Sequence, residues 1–242
     1  MKKILIILPL IVIAACAAKE VPFDPVAKFK EAETYMHKES FEKARKAYQE
    51  LQEKSPDRSY DADIMLRVAD TYYGEEKYDE AQVEYQAFLN FHPVHRDAPY
   101  AQFQIALCSF KQMSTIDRDP ELTRAALKEF EKLPSKYPKA PYVEQAKKYA
   151  AICRDRLAEY ELYVARFYYK KGSYKSALGR LEGIVKNYPS SLSEKDTLYY
   201  MGLAYREIGE RARALDALET LARKYPSMSE TAGSLISKLR TR

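Results

Sequence analysis

Few side chains in this sequence sit at spacings that do chemistry. His92 and His95 form an H-x-x-H pair, a spacing at which two imidazoles share a metal when both lie on one helix face. Pro93 falls between them and sets them in a turn, and the glutamate pattern of a zinc protease is missing. His37 stands alone. There is no G-x-S-x-G elbow and no Gly-rich phosphate loop. Paired acids recur along the chain, as they do on any solvated helix, and define no general acid–base pair by themselves. The sequence therefore points away from an enzyme and from a resident metal or cofactor. Cys108 and Cys153 lie on apolar helical faces. They read as two small buried hydrophobes, or as a disulfide if their Cα atoms come within ~7 Å. The remaining cysteine, Cys16, has a different setting.

Lys2 and Lys3 precede an apolar run from Ile4 to Ile13. A helix needs about 20 apolar residues to cross a bilayer, so this shorter run reads as an export signal. The stretch Ile13-Ala14-Ala15-Cys16 resembles the bacterial lipobox. That resemblance implies removal of a signal peptide, residues 1–15, and a diacylglycerol thioether plus an amide-linked acyl chain on Cys16. These lipids are the only non-protein groups expected. One acyl chain anchors marginally at roughly 0.8 kcal/mol per buried methylene, so three chains anchor firmly. Ala17 stands where an Asp retains many such lipoproteins at the inner membrane. The implied destination is the periplasmic face of the outer membrane. Residues 16–24 form the lipidated tether, of which 17–24 reach about 27 Å when extended at ~3.4 Å per residue.

Removing Lys2 and Lys3 leaves 38 of the 40 Lys and Arg residues against 35 Asp and Glu, a net charge of about +3. That balance, with no cluster of like charge, gives no footprint for nucleic acid.

The elements that must carry any function are visible in a repeat. FEKARKAYQELQEKSP (41–56), YDEAQVEYQAFLNFHP (78–93), TRAALKEFEKLPSKYP (123–138), YKSALGRLEGIVKNYP (174–189) and RARALDALETLARKYP (211–226) share one frame. Alanine stands fourth in each, at Ala44, Ala81, Ala126, Ala177 and Ala214, and proline stands last. A second helical pattern precedes each stretch, with Ala32, Ala69, Ala106, Ala165 or Gly202 at its small position. A tyrosine follows the small residue by three, except after Ala106, where Ser109 replaces it. This frame resembles the tetratricopeptide (TPR) repeat. Small residues on both helices let the backbones approach closely. Each closing proline forces the preceding residue out of the α region and ends the second helix. Gly172 and Gly209 fall in the turns within pairs, and Asp24-Pro25 and Asp119-Pro120 read as an N-cap followed by a first-turn proline.

The expected fold is an all-α, TPR-like solenoid of five helix pairs plus a C-terminal capping helix with Ala232, Leu235, Ile236 and Leu239 on one stripe. Three N-terminal repeats (25–140) precede a C-terminal pair (141–242), joined by a long helix from about Tyr142 to Lys171.

DRDPELTRAALKEFEKLPSKYP (117–138) and RDRLAEYELYVARFYYKKGSYKSALGRLEGIVKNYP (154–189) are more particular than any TPR consensus. They resemble the BamD family of outer-membrane protein assembly lipoproteins, and with the lipobox the likeness covers essentially the whole chain. It implies a non-enzymatic scaffold. Its partners would be a BamA-like β-barrel insertase, other Bam lipoproteins, unfolded outer-membrane proteins and, through the anchor, the membrane itself. The C-terminal repeats would dock on the insertase and the N-terminal groove would meet substrate.

In the TPR frame, positions 2, 5, 9 and 12 of the first helix face the groove. In the first three repeats this places Phe29, Met36, Leu66, Asp70, Tyr73, Tyr100, Phe103 and Phe110 there. An aromatic-lined groove suits an extended apolar peptide, whose terminal carboxylate Arg67 or Lys111 would meet. The competing reading packs these aromatics between repeats. Arg180 sits on a phase that reaches solvent. By family likeness it pairs with an acidic group of the insertase; otherwise it is a solvated arginine. Asp117, Arg118 and Asp119 read as local ion pairs clamping the insertion at 111–121. A TPR lipoprotein of pilus assembly or cell-wall coordination is the alternative function. It would account for the repeats and the anchor but not for the two particular runs.

Overall fold

The computed structural model describes residues 23–241 except Pro56, Asp57 and Ser59. Cys16, the export signal and the tether as far as residue 22 lie outside the described residues. The described chain is helical throughout: α1 (Pro25–His37), α2 (Phe41–Lys54), α3 (Asp61–Gly74), α4 (Tyr78–Phe91), α5 (Ala98–Lys111), α6 (Glu121–Lys136), α7 (Val143–Lys170), α8 (Tyr174–Asn187), α9 (Glu194–Glu207), α10 (Arg211–Lys224) and α11 (Ser229–Arg240). A 3₁₀ turn at Pro226–Met228 leads into α11. Every helix packs mainly on its neighbours in sequence, which is the quasi-one-dimensional arrangement of a solenoid.

The repeat frame explains where the helices begin and end. The second helix of each pair stops two residues before its closing proline, at Lys54, Phe91, Lys136, Asn187 and Lys224. The intervening residue has left the α region, as the ring of the next proline demands: φ/ψ are −130/55° at His92, −133/64° at Tyr137 and −131/56° at Tyr188. Pro134 lies inside α6 and removes the donor that would reach the Phe130 carbonyl. The helix continues because Phe130 and Leu133 are buried against Val143, Ala146 and Ala150 of α7. Four of the five turns within pairs, all but the one between α5 and α6, pass through left-handed backbone. Gly172 and Gly209 supply it at φ +75° and +80°, whereas Glu39 and Glu76 adopt φ of +53° and +59° at the corresponding places.

The small residues do what their spacing predicts. Ala44, Ala81, Ala126, Ala177 and Ala214 are fully buried, as are Ala32, Ala69 and Ala106, and Ala165 nearly so. At Gly202 the two helices come close enough that a Cβ there would lie 2.5 Å from Cγ of Leu218.

Asp24 caps α1, accepting from the Val26 and Ala27 amides at 3.0 and 3.1 Å, with Pro25 as the first helical residue. The same expectation fails at Asp119-Pro120. There Pro120 itself is the N-cap, and Asp119 instead meets Arg124 at 3.2 Å. That exposed pair lies at the end of the insertion, and Thr115 beside Asp117 lowers the Asp117 pKa. Arg118 forms no ion pair with either aspartate; its amide donates to the Thr115 carbonyl.

Helix α7 extends about 42 Å at 1.5 Å per residue and serves two cores. Val143, Ala146, Ala150 and Cys153 pack with α5 and α6, while Ala158, Leu162 and Ala165 pack with Leu181 and Ile184 of α8. α11 closes the far end through Ala232 and Leu239, with Leu235 and Ile236 beside them. Cys108 and Cys153 are both free thiols in separate core clusters, and burial pushes each thiol up to about 12. They are small core residues, not a disulfide.

Candidate binding groove and partner surface

Helices α1, α3 and α5 run side by side along the N-terminal wall, and a polar network stitches them together. Arg67 on α3 reaches Glu33 on α1 at 3.1 Å and Asp70, one turn on, at 3.2 Å. Tyr48 on α2 donates to Glu33. Tyr85 on α4 and Tyr100 on α5 both donate to Oδ1 of Asp70, at 2.6 and 2.7 Å, and Gln104 donates to the Tyr100 hydroxyl. Burial raises the Asp70 pKa above the ordinary carboxylate value, against the lowering effect of its three donors. Burial is also the first cause of the raised pKa of Tyr48, Tyr85 and Tyr100, reinforced by the neighbouring carboxylates.

This network was legible as a register coincidence that neither residue type advertises alone. Glu33 and Asp70 each follow the small residue of their helix by one place, and Tyr48 and Tyr85 stand eighth in the following helix. In the later repeats these places hold Leu107 with Phe130, Arg166 with Leu181, and Leu203 with Leu218. The carboxylate–tyrosine pair thus belongs to the first two repeats.

The expected groove residues fall into two groups. Leu66 and Phe103, exposed by 6% and 5%, are core residues beneath the wall and offer no side-chain surface to a peptide. Asp70 is the buried acceptor just described. Phe29, Met36, Tyr73, Tyr100 and Phe110 remain partly open. Phe29 lies between the rings of Tyr48 and Tyr60, each 5.8 Å away, and Met36 leans on the same core. Tyr73 sits edge-on to Tyr78 at 5.3 Å, and burial raises its hydroxyl to about 12. Tyr100 faces Tyr142 at 6.0 Å. Phe110 contacts Tyr149 at 4.8 Å and lines an open cavity of about 640 Å³ where the two repeat groups meet, with Met113, Ile152, Leu162 and Arg166.

The structure also changes the expectation for Arg67. Its side chain is 43% exposed, but two carboxylates already hold its charge, so the Glu33–Arg67–Asp70 cluster is net negative. A peptide carboxylate there would face Glu33 and Asp70 as well as the guanidinium. Lys111, exposed at the end of α5, carries no such compensation among the described residues.

On α8, Arg180 is exposed and bonded to Glu161 of α7 at 2.9 Å, which raises its pKa. Beside it Gly179 and Gly183 leave open space. His92 and His95 lie 6.2 Å apart with Phe88 against both rings, and Nδ1 of His95 accepts from the Asp97 amide. No group of three potential metal ligands exists among the described residues, and no described helix is long and apolar enough to cross a membrane.

Stacked helix pairs presenting aromatic walls define a protein-binding scaffold built as an α-solenoid. Comparison with known proteins narrows the class. The chain belongs to the YfiO family of outer membrane lipoproteins, whose model matches residues 23–221. Curated relatives include the outer membrane protein assembly factor BamD of Neisseria meningitidis serogroup A, 27% identical, covering 93% of this chain and 92% of that protein. BamD of Vibrio cholerae is 26% identical, covering 81% and 88%, and that of Rickettsia prowazekii is 25% identical, covering 90% and 88%. Among solved structures, the TPR2AB domain of yeast Sti1 overlays with a TM-score of 0.47 at 13% identity, covering 90% of this chain and 83% of that one. The solenoid assignment rests on the helix pairs themselves.

Proposed function

We propose that the protein is a lipid-anchored scaffold of outer-membrane protein assembly, holding a BamA-like β-barrel insertase and unfolded barrel substrates together at the membrane surface. The observation that carries this reading is the alignment of proteins named for that role with 93% of the chain, across both repeat groups and the long helix between them. The anchor on Cys16 would raise the local concentration of both surfaces near the insertase without any added contact. Substrate would lie along the N-terminal wall against Phe29, Met36, Tyr73, Tyr100 and Phe110, with Lys111 the better-placed cation for a terminal carboxylate. Other Bam lipoproteins would share the assembly.

The test is depletion of the protein with measurement of porins in the outer membrane, alongside recovery of the insertase on the lipidated protein. Loss of porins and recovery of the insertase support the reading. Unchanged porins, or recovery of pilus or peptidoglycan factors instead, would replace it with the alternative scaffold role. For Arg180 the insertase must displace Glu161. Charge reversal by Arg180→Glu should then abolish insertase recovery, whereas Glu161→Gln, which frees the guanidinium, should preserve it. Unchanged recovery with Arg180→Glu removes this residue from the interface.

A further inference from the structure

The register of the repeats assigns every first helix a face that the preceding pair should cover. Relative to the small residue, that face comprises the positions five before, one before and two after. In α3 these are Ile64, Val68 and Thr71, covered by Ala47, Tyr48 and Leu51 of α2, with Thr71 bonded to Arg45 at 3.0 Å. In α5 they are Ala101, Ile105 and Cys108, covered by Tyr85, Phe88 and Leu89 of α4. In α9 they are Thr197, Met201 and Ala204, with Leu181 and Ile184 of α8 against Met201. The first repeat has no predecessor among the described residues, and there the same positions are Ala27, Glu31 and Thr34, all exposed. That is the polar outer face a terminal repeat requires.

The fourth repeat breaks this rule. Its positions are Tyr160, Val164 and Phe167, with Tyr163 between them. The preceding second helix, α6, packs on the first half of α7 and leaves this second half uncovered. Phe167 is 54% exposed and Tyr163 49% exposed, while Tyr160 and Val164 are partly open. The long helix has separated an inter-repeat interface from the element that would cover it, yet the residues remain those of an interface rather than of an edge.

We propose that this face of α7 is a docking site for one amphipathic helix of another polypeptide, which takes the place of the absent second helix. The occupant follows from the interface it would continue, because every other face of this register in the solenoid is either covered by a helix or polar. The covering helix runs antiparallel to the one it covers, as α2 does to α3. Its N-terminal turn would therefore meet Lys170 and Lys171, the latter 5.8 Å from the Phe167 ring. An N-terminal turn bearing Asp or Glu matches both these lysines and its own helix dipole. The partner would carry apolar residues at i, i+3 or i+4, and i+7.

The experiment places a photo-crosslinking amino acid at position 163 or 167 of the full lipidated chain in cells, with position 31 on the polar edge as control, and identifies the linked peptide by mass spectrometry. The expected result is a peptide from one partner, helical in that partner, with that apolar spacing and an acidic N-terminal turn. Tyr163→Glu with a crosslinker at 167 should reduce the yield at least tenfold while leaving the melting temperature unchanged. A crosslink to a second copy of this chain, to lipid, to an extended or β segment, or to nothing beyond the position-31 control overturns the proposal. The inference does not depend on the proposed function. A crosslink to a strand of the insertase would sink the helix while leaving that function intact, and unchanged porins on depletion with an unaltered helix crosslink would separate them the other way.

Discussion

Gly202 gives the sharpest test of the nested-helix argument, because two effects of known size oppose each other there. Gly202→Ala in the middle of α9 gains about 1 kcal/mol of helix propensity. It also places a Cβ 2.5 Å from Cγ and 2.6 Å from Cδ2 of Leu218, a fully buried side chain in the last core cluster. Overpacking of this kind costs roughly 1–3 kcal/mol. The net effect should be destabilising by about 1 kcal/mol. Leu218→Ala alone should cost about 2–5 kcal/mol through the cavity it leaves. In that background the clash is gone, so Gly202→Ala should now stabilise by about 1 kcal/mol. Urea titrations of the four proteins followed by circular dichroism measure the reversal of sign. If the effect of Gly202→Ala is the same in both backgrounds to within about 0.5 kcal/mol, the two sites are uncoupled and the close approach does not govern this pair.

Asp70→Ala should destabilise by about 2–4 kcal/mol in the same titration, since it leaves the buried Tyr85 hydroxyl without its acceptor and frees Arg67 and Tyr100. Because burial raises the Asp70 pKa, the stabilisation linked to its protonation is complete below the ordinary carboxylate value near 4 and fades as pH climbs through the raised one. Across that window the native protein should lose stability relative to Asp70→Asn, and an opposite slope would show the carboxylate to be favoured by folding. Gly209→Ala should lower the melting temperature by about 2–4 °C, because no atom lies near its absent Cβ and only the left-handed backbone is strained. Glu76→Gly, at the corresponding turn, should leave stability equal or raise it by up to ~1 kcal/mol, as relief of the same strain outweighs the added chain entropy; calorimetry on both variants checks the pair.

What could be read from the chain divides along physical lines. Ala44, Ala81, Ala126, Ala177 and Ala214 announced the helix pairs because close approach of two backbones admits few residue types, and all five are fully buried. The closing prolines announced the helix ends because a steric rule acts between adjacent residues and needs no tertiary information. The cap at Asp119 misled, because Asp-Pro is compatible with a start at either of two residues and the insertion before it decides which. The wall was harder. Position in the repeat frame could not separate Leu66 and Phe103, sunk into the core, from Tyr73 and Phe110, partly open, because both kinds satisfy the same apolar period. Arg67 read as a free cation since its partners come from another helix and from the next turn of its own. Only the 37-residue recurrence of acid and tyrosine, Glu33 with Tyr48 and Asp70 with Tyr85, carried that information in one dimension.

Helix α7 has one more implication, for how the molecule comes apart. Nearest-neighbour stacking lets a solenoid fray from either end, and fraying stops where one element is held from both sides. The turn around Cys153 and Leu157 is such a place, with core contacts of the N-terminal group just before it and of α8 just after. A loss of structure beginning at α11 should therefore pause there. It would leave a half-molecule whose amides resist deuterium through α6 and the first four turns of α7, while those beyond exchange together.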